Sequence, residues 1–118
     1  MAERTWEEMS LARLRAAKAR LDLGFYRDSI SRSYYAAYCA ATSTVSGRNV
    51  TFAFGRQNPS HDQLPALILN TGHLPKAVRQ KIKTRLYFLR YTRENADYRA
   101  LALDCILNAA AVIKLLET

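Results

Sequence analysis

The stretch from Ser31 to Val45 constrains the fold most, because it carries two occupied faces at helical spacing. The members of the first face fall within about a 100° arc of a helix: Ile30, Tyr34, Ala37, Tyr38, Ala41 and Val45. Arg32, Tyr35 and Cys39 lie on the opposite side. Small residues on the flank allow a second helix to approach closely: Ser33, Ala36 and Ala40. The sequence therefore predicts a central helix that packs against neighbours on two sides.

Apolar spacing and end signals predict a first helix from about Thr5 to Leu23. Thr5 and Glu8 form a capping box at its start, and Gly24 is a natural end. The connection to the central helix, which begins near Tyr26, is short. Two helices joined by so few residues pack antiparallel.

The second half of the chain is predicted to contain a loop over residues 46–59 and three helices. The first is short, opens with a capping box of Ser60 with Gln63 and ends at Leu69. The bounds of the other two are Pro75 to about Asn95 and about Arg99 to Glu117. The predicted fold is all-α, an up-down helical bundle of four long helices plus one short helix, in a single domain spanning residues 1–118.

Composition excludes several classes of protein. Apolar residues make up 49% of the 118 positions, yet no segment approaches the roughly 18 continuous apolar residues of a membrane span. The segment Met1 to Ser10 does not resemble a secretory signal. Cys39 and Cys105 have no partner at metal-ligand spacing and are expected to be reduced core thiols. These features predict a soluble, cytoplasmic protein without a metal or cofactor.

The net charge of +8 is concentrated between Lys76 and Arg99. This segment contains eight basic residues, and its only acidic residues are Glu94 and Asp97. This charge therefore indicates an acidic partner, and nucleic acid is the first candidate. Four of these residues form a basic ridge on one arc of the predicted helix: Lys76, Arg79, Lys83 and Arg90. Such a ridge is either a solvated face or a binding surface for an anion.

Arg85 and Arg93 project into the apolar arc of the same helix. Burying an unpaired arginine is costly, so each side chain must extend to solvent, pair with a carboxylate or face a site. Asp97 is a nearby partner for Arg93. Two interpretations remain for Arg93, Asp97 and Tyr98. They form either a functional cluster or a structural contact, in which Arg93 pairs with Asp97 and fixes the junction of the last two helices.

Two segments, residues 24–38 and residues 93–98, together resemble the HEPN family (higher eukaryotes and prokaryotes nucleotide-binding domain) in its small stand-alone form. The first reads Gly-Phe-Tyr-Arg-Asp-Ser-Ile-Ser-Arg-Ser-Tyr-Tyr-Ala-Ala-Tyr and the second Arg-Glu-Asn-Ala-Asp-Tyr, followed by an alanine-rich helix. Pro59-Ser60-His61 is similar to the histidine-bearing start of the family's short middle helix.

The resemblance implies a homodimer in which arginine-bearing ends of two protomers meet. We expect Arg32, Tyr35 and Cys39 at that interface. Many members are metal-independent ribonucleases with an Arg-x4-6-His motif, and many pair with a minimal nucleotidyltransferase as a toxin and antitoxin couple. Arg93 matches the family arginine, and Tyr98 lies near a tyrosine that can be adenylylated in the family.

The family histidine is missing, since residues 94–100 contain none. RNA cleavage needs a group of near-neutral pKa to accept the 2′-hydroxyl proton, whereas aspartate titrates near pH 3.9 and tyrosine near pH 10. Only His61 or His73, both distant in sequence, could substitute.

Three functions follow from these patterns. The preferred one is binding of a nucleotide, an RNA backbone or a minimal nucleotidyltransferase, in a toxin-antitoxin or stress-response module. The predicted binding residues are Arg93, Asp97, Tyr98 and the basic ridge. The alternatives are an endoribonuclease that uses Arg93 with His61, and a purely structural interaction bundle.

Overall fold

The computed structural model describes residues 5–46, 61–95 and 99–117. Within these ranges the chain forms five α-helices and no strand, so the predicted all-α class is confirmed. The helices are α1 (Trp6–Asp22), α2 (Tyr26–Ser46), α3 (Leu64–Leu69), α4 (Lys76–Asn95) and α5 (Arg99–Leu116). Four of them are 17 to 21 residues long, whereas α3 has only 6 residues.

Both ends of α1 are fixed by the residues that the sequence indicates. The Thr5 side chain accepts a hydrogen bond of 3.0 Å from the backbone N–H of Glu8, which confirms the N-cap. Gly24 adopts a φ of 83°, and its N–H donates to the Leu21 carbonyl at 3.0 Å. The N–H of Phe25 donates to the Arg20 carbonyl at 2.9 Å, which completes a Schellman motif. The chain therefore turns sharply into α2.

The start of α3 differs from the sequence prediction. Residues 61–63 form a turn, Gln63 is the N-cap and its side chain makes no capping bond. Since Gln63 precedes the helix, it cannot be the third residue of a capping box, and the predicted box is wrong. Pro65 does lie in the first turn, where its missing N–H is tolerated. Ser60 and the predicted loop from residue 47 onward lie outside the described residues.

The remaining helices lie within a residue of their predicted bounds. α4 begins at Lys76, so Pro75 precedes it rather than occupying its first position. The Pro75 carbonyl accepts the first helical hydrogen bond, from the N–H of Arg79, at 3.0 Å.

The central position of α2 is confirmed, because this helix packs against all four of the others. Its apolar face includes Ile30, Ala37 and Ala41, all 0% exposed. Two buried hydroxyls link it to α1: Ser10 donates to the Ala36 carbonyl and Ser29 donates to the Ala17 carbonyl, each at 2.7 Å. The many small residues in this core allow its helices to lie close together.

Cys39 and Cys105 are both buried and free. Burial raises the pKa of each thiol, that of Cys105 to about 11. Both are therefore protonated core side chains near neutral pH. In the described ranges we find no helix with the length and apolar character needed to cross a bilayer.

Candidate functional site

A cluster of aromatic and basic side chains forms where α2, the turn before α3 and the carboxyl-terminal half of α4 meet. We call it the Tyr34 cluster, and its members are Tyr34, Tyr35, Tyr38, His61, Arg90 and Arg93. The spacing on each helix explains the convergence. Residues three or four positions apart share one face, which brings Tyr34 and Tyr38 together on α2 and Arg90 and Arg93 together on α4.

Arg93 lies over the faces of two tyrosine rings. Its guanidinium carbon is 4.9 Å from the centroid of the Tyr34 ring and 5.3 Å from that of Tyr35. Such cation–π contacts are worth about 0.5 to 2 kcal/mol, depending on how far they are desolvated. The ring faces thus explain how an arginine is accommodated in the apolar arc of α4, where it is half-buried.

The sequence predicts Asp97 and Tyr98 as neighbours of Arg93. Asp97 and Tyr98 lie outside the described residues. The other arginine of the apolar arc, Arg85, donates to the side-chain oxygen of Asn108 on α5 at 2.8 Å. It therefore pairs with a neutral amide and links α4 to α5.

His61 packs among the tyrosines of α2. Its ring centroid is 4.9 Å from that of Tyr38, 5.2 Å from Tyr34 and 5.9 Å from Tyr35. Its Nδ1 atom shares a hydrogen bond with the Tyr34 hydroxyl. The structure therefore brings His61 to the same rings as Arg93. The sequence indicates His61 as a candidate residue. It does not indicate the contact with Tyr34, because the two residues are 27 positions apart and share no local pattern.

The surroundings favour the neutral forms of both bonded groups. Burial lowers the pKa of His61 below 6.5, Arg93 and Arg90 lower it further, and Asp62 opposes them. Burial also raises the pKa of Tyr34 well above 10, against the opposing effect of the two arginines. Near neutral pH the site thus contains a neutral imidazole, a neutral phenol and two guanidinium cations.

Arg90 pairs with Asp62, the residue after His61. The Asp62 side chain is 84% exposed, so water screens this ion pair and its contribution to stability is small. The pair nevertheless joins α4 to the turn that carries His61. Counting described residues alone, the cluster retains an excess of positive charge, since Asp62 offsets one of the two arginines.

The basic ridge of α4 is not a uniform anion-binding surface. Arg79 donates to the carbonyl of Leu69 at the end of α3, and Arg90 bonds to Asp62. These two arginines thus hold the segment around α3 against α4. Lys76 is exposed, and the half-buried Lys83 has its ammonium 6.0 Å from the Tyr87 ring.

The residues expected at a dimer interface differ in accessibility. Arg32 is half-buried and bonds to Asp28 at 3.1 Å. Tyr35 is also half-buried, and the Arg13 guanidinium carbon lies 5.9 Å from its ring centroid. Cys39 is only 6% exposed and belongs to the core of the protomer. Arg32 and Tyr35 are the members of this set that retain surface.

Comparisons with known proteins yield no relative: no family model, no curated protein and no solved structure matches the chain. The site must therefore be interpreted from its own chemistry. The part of the chain that the structure describes holds no group of His, Cys, Asp and Glu able to bind a metal ion. What the Tyr34 cluster offers is guanidinium and imidazole N–H donors beside aromatic rings, a set suited to an anion such as phosphate.

Proposed function

We propose that this chain is a HEPN-like domain that binds a nucleotide or the phosphate backbone of RNA at the Tyr34 cluster. The observation that carries this is the convergence of Arg93 and His61 on the ring of Tyr34. Two residues separated by 32 positions, both candidates from sequence, share one aromatic neighbour. A second cation, Arg90, influences both Tyr34 and His61.

The geometry at Arg93 suits phosphate recognition. The Arg93 guanidinium lies beside the rings of Tyr34 and Tyr35 and carries five N–H donors in a planar fork. Those N–H groups match the spacing of phosphate oxygens. These two ring contacts also restrict the side chain before a ligand arrives, which reduces the entropy lost on binding.

The accessibility of the three tyrosines limits what they contribute. Tyr34 and Tyr38 are 3% and 5% exposed, so they support the site rather than stack against a nucleobase. Tyr35 retains partial exposure, but the guanidinium groups of Arg93 and Arg13 already lie over its ring. The ligand is accordingly held mainly through phosphate, with at most one base–ring contact.

The finer arrangement is part of the same proposal. The four long helices form an up-down bundle with α3 as the short addition, and two copies associate through the face that carries Arg32 and Tyr35. The homodimer works in the cytoplasm with a minimal nucleotidyltransferase as partner, in a toxin-antitoxin or stress-response module. Lys76, Asp97 and Tyr98 are further ligand- or partner-binding residues in this proposal.

Binding is tested by fluorescence anisotropy with a short labelled single-stranded RNA, and with ATP as competitor. We expect Arg93→Ala to weaken binding about tenfold or more, since hydrogen bonds to charged groups contribute about 1.5 to 3 kcal/mol. Arg15→Ala is the matched control, because Arg15 is exposed on α1 and its loss changes net charge equally. Equal affinities of the two variants would contradict a site at Arg93.

A second candidate function is metal-independent RNA cleavage, favoured by the placement of His61 beside the same rings as Arg93. A histidine could accept the 2′-hydroxyl proton while the arginine stabilises the phosphorane charge. The assay is incubation of RNA with the protein and a chelator. Cleavage that disappears in both His61→Ala and Arg93→Ala would establish the nuclease. Absence of cleavage by the unmodified protein, together with retained binding, supports binding alone.

A further inference from the structure

We propose that Tyr34 is a positioning residue that fixes His61 as the neutral tautomer with its proton on Nε2. His61 then offers its ligand a hydrogen-bond donor and not a base. The tautomer follows from the contacts of the free protein. The identity of the acceptor as a phosphate oxygen rests on the proposed function.

The first step concerns the single hydrogen of the Tyr34 hydroxyl. This side chain is 3% exposed, and in the described part of the chain its hydroxyl is bonded to His61 Nδ1. If Nδ1 carried the proton, it would donate to the phenol oxygen, and the buried phenol hydrogen would have no acceptor among the described residues. A buried donor without a partner costs about 1 to 3 kcal/mol. The phenol therefore donates and Nδ1 accepts.

The second step concerns the charge of His61. Within the described ranges, the groups that face it are the three tyrosines of α2, Arg90 and Arg93 of α4, and its neighbour Asp62. Burial and the two cations disfavour an imidazolium, and the opposing carboxylate of Asp62 is largely exposed and paired with Arg90. His61 is accordingly neutral near neutral pH. A neutral imidazole that accepts at Nδ1 must carry its proton at Nε2.

The consequence is chemical. The two ring nitrogens point in widely different directions, so the Nε2–H group is directed away from the Tyr34 hydroxyl. A neutral imidazole N–H does not accept a proton at that nitrogen. It does complement the guanidinium groups of Arg93 and Arg90 as a further donor for the oxygens of a phosphate. Tyr34 thus favours a role for His61 in phosphate binding over a role as the base in RNA cleavage.

The tautomer is measured on the ligand-free full chain with ¹⁵N-labelled histidine, using long-range ¹H–¹⁵N correlation near pH 7. Only two histidines are present, and a His73→Gln spectrum assigns His61. We expect an unprotonated Nδ1 and a protonated Nε2 for His61. Tyr34→Phe should shift His61 towards a mixture of tautomers, with circular dichroism as the check that the variant folds. A protonated Nδ1 in the unmodified chain would overturn the inference whatever the variant does.

The ligand step is tested by adding inorganic phosphate to the same sample. We expect the Nε2 proton resonance of His61 to move while Nδ1 stays unprotonated. Conversion of His61 to the imidazolium would overturn the neutral state in which Nδ1 accepts from Tyr34, because both ring nitrogens of an imidazolium are donors. A titration that leaves His61 unchanged would contradict phosphate binding at the cluster, and with it the proposed function. The tautomer of the free protein is measured independently of that result.

Discussion

At the scale of single residues, Arg93 and His61 differ in how far their roles can be inferred from sequence. The position of Arg93 in the apolar arc of α4 indicates that it needs a special neighbour, and the stack on Tyr34 and Tyr35 supplies one. His61 gives no comparable signal, because its contacts are with residues on a helix 23 to 27 positions earlier. Periodicity reports which face of a helix a residue occupies. It does not report which distant side chain meets that face.

The lowered pKa of His61 leads to a prediction about stability in mild acid. In the unfolded chain this histidine takes up a proton near pH 6.5, whereas in the folded protein it does so only at lower pH. The unfolded state therefore binds more protons in that interval, and the free energy of unfolding falls as the pH drops below about 6.5. We expect His61→Gln to reduce this fall, measured by urea denaturation at about pH 7.5 and about pH 5.5.

His73→Gln is the matched control for the acid prediction, because His73 is exposed in the turn between α3 and α4. That variant should retain the acid destabilisation that His61 causes. An identical pH dependence in His61→Gln and the unmodified protein would show that the His61 environment does not distinguish its two protonation states.

At the scale of helices and turns, local chemistry determined which boundaries could be predicted. The start of α1 follows from Thr5 and its end from Gly24, because a capping side chain and a left-handed glycine act within a few residues. The start of α3 was mispredicted. Ser60 and Gln63 have the spacing of a capping box, which acts within a few residues like the Thr5 cap, but the helix begins one residue after Gln63. Contacts of α4 with this segment, such as the Arg79 bond to the Leu69 carbonyl, are tertiary and leave no local pattern.

Gly24→Ala is expected to destabilise the protein through the backbone alone. A Cβ at Gly24 would meet nothing within 4 Å, but the φ of 83° is unfavourable for alanine. The cost of such a conformation is about 1 to 2 kcal/mol, read as a lower midpoint in urea denaturation. Gly72→Ala is the control, because a Cβ there also meets nothing within 4 Å and its φ lies outside the left-handed range. Equal midpoints for the two variants would argue against the turn geometry.

The small residues of α5 provide a second prediction at this scale. Ala109 is 0% exposed in the core, whereas Ala100 on the same helix is exposed. Ala109→Leu should lower the free energy of unfolding by about 1 to 3 kcal/mol, because the added atoms force neighbouring helices apart. Ala100→Leu makes the same chemical change at the surface and should alter stability by no more than about 0.5 kcal/mol. If Ala109→Leu were equally harmless, the packing around α5 would be looser than described.

At the scale of the whole molecule, the sequence predicts the class and the central element but not the convergence at the site. The apolar faces of five helices are enough to place α2 among the others, since burial of each face against the rest leaves few alternatives. The Tyr34 cluster depends on how the turn at residues 61–63 and the end of α4 meet the same side of α2. That arrangement is set by the packing of the complete chain.

The net charge of +8 could attract RNA diffusely, or the Tyr34 cluster could bind it at a defined place. The two differ in how affinity depends on salt, since each phosphate neutralised on a single strand contributes a slope of about −0.7 in log K against log salt. We expect Arg93→Ala to reduce the slope by about 0.7 and Arg15→Ala to leave it nearly unchanged. Equal reductions would indicate diffuse attraction by net charge. Affinity falls as salt rises because phosphate contacts release counterions. Binding without any salt dependence would therefore exclude phosphate contacts. It would favour the structural interaction bundle, in which the net charge serves solubility.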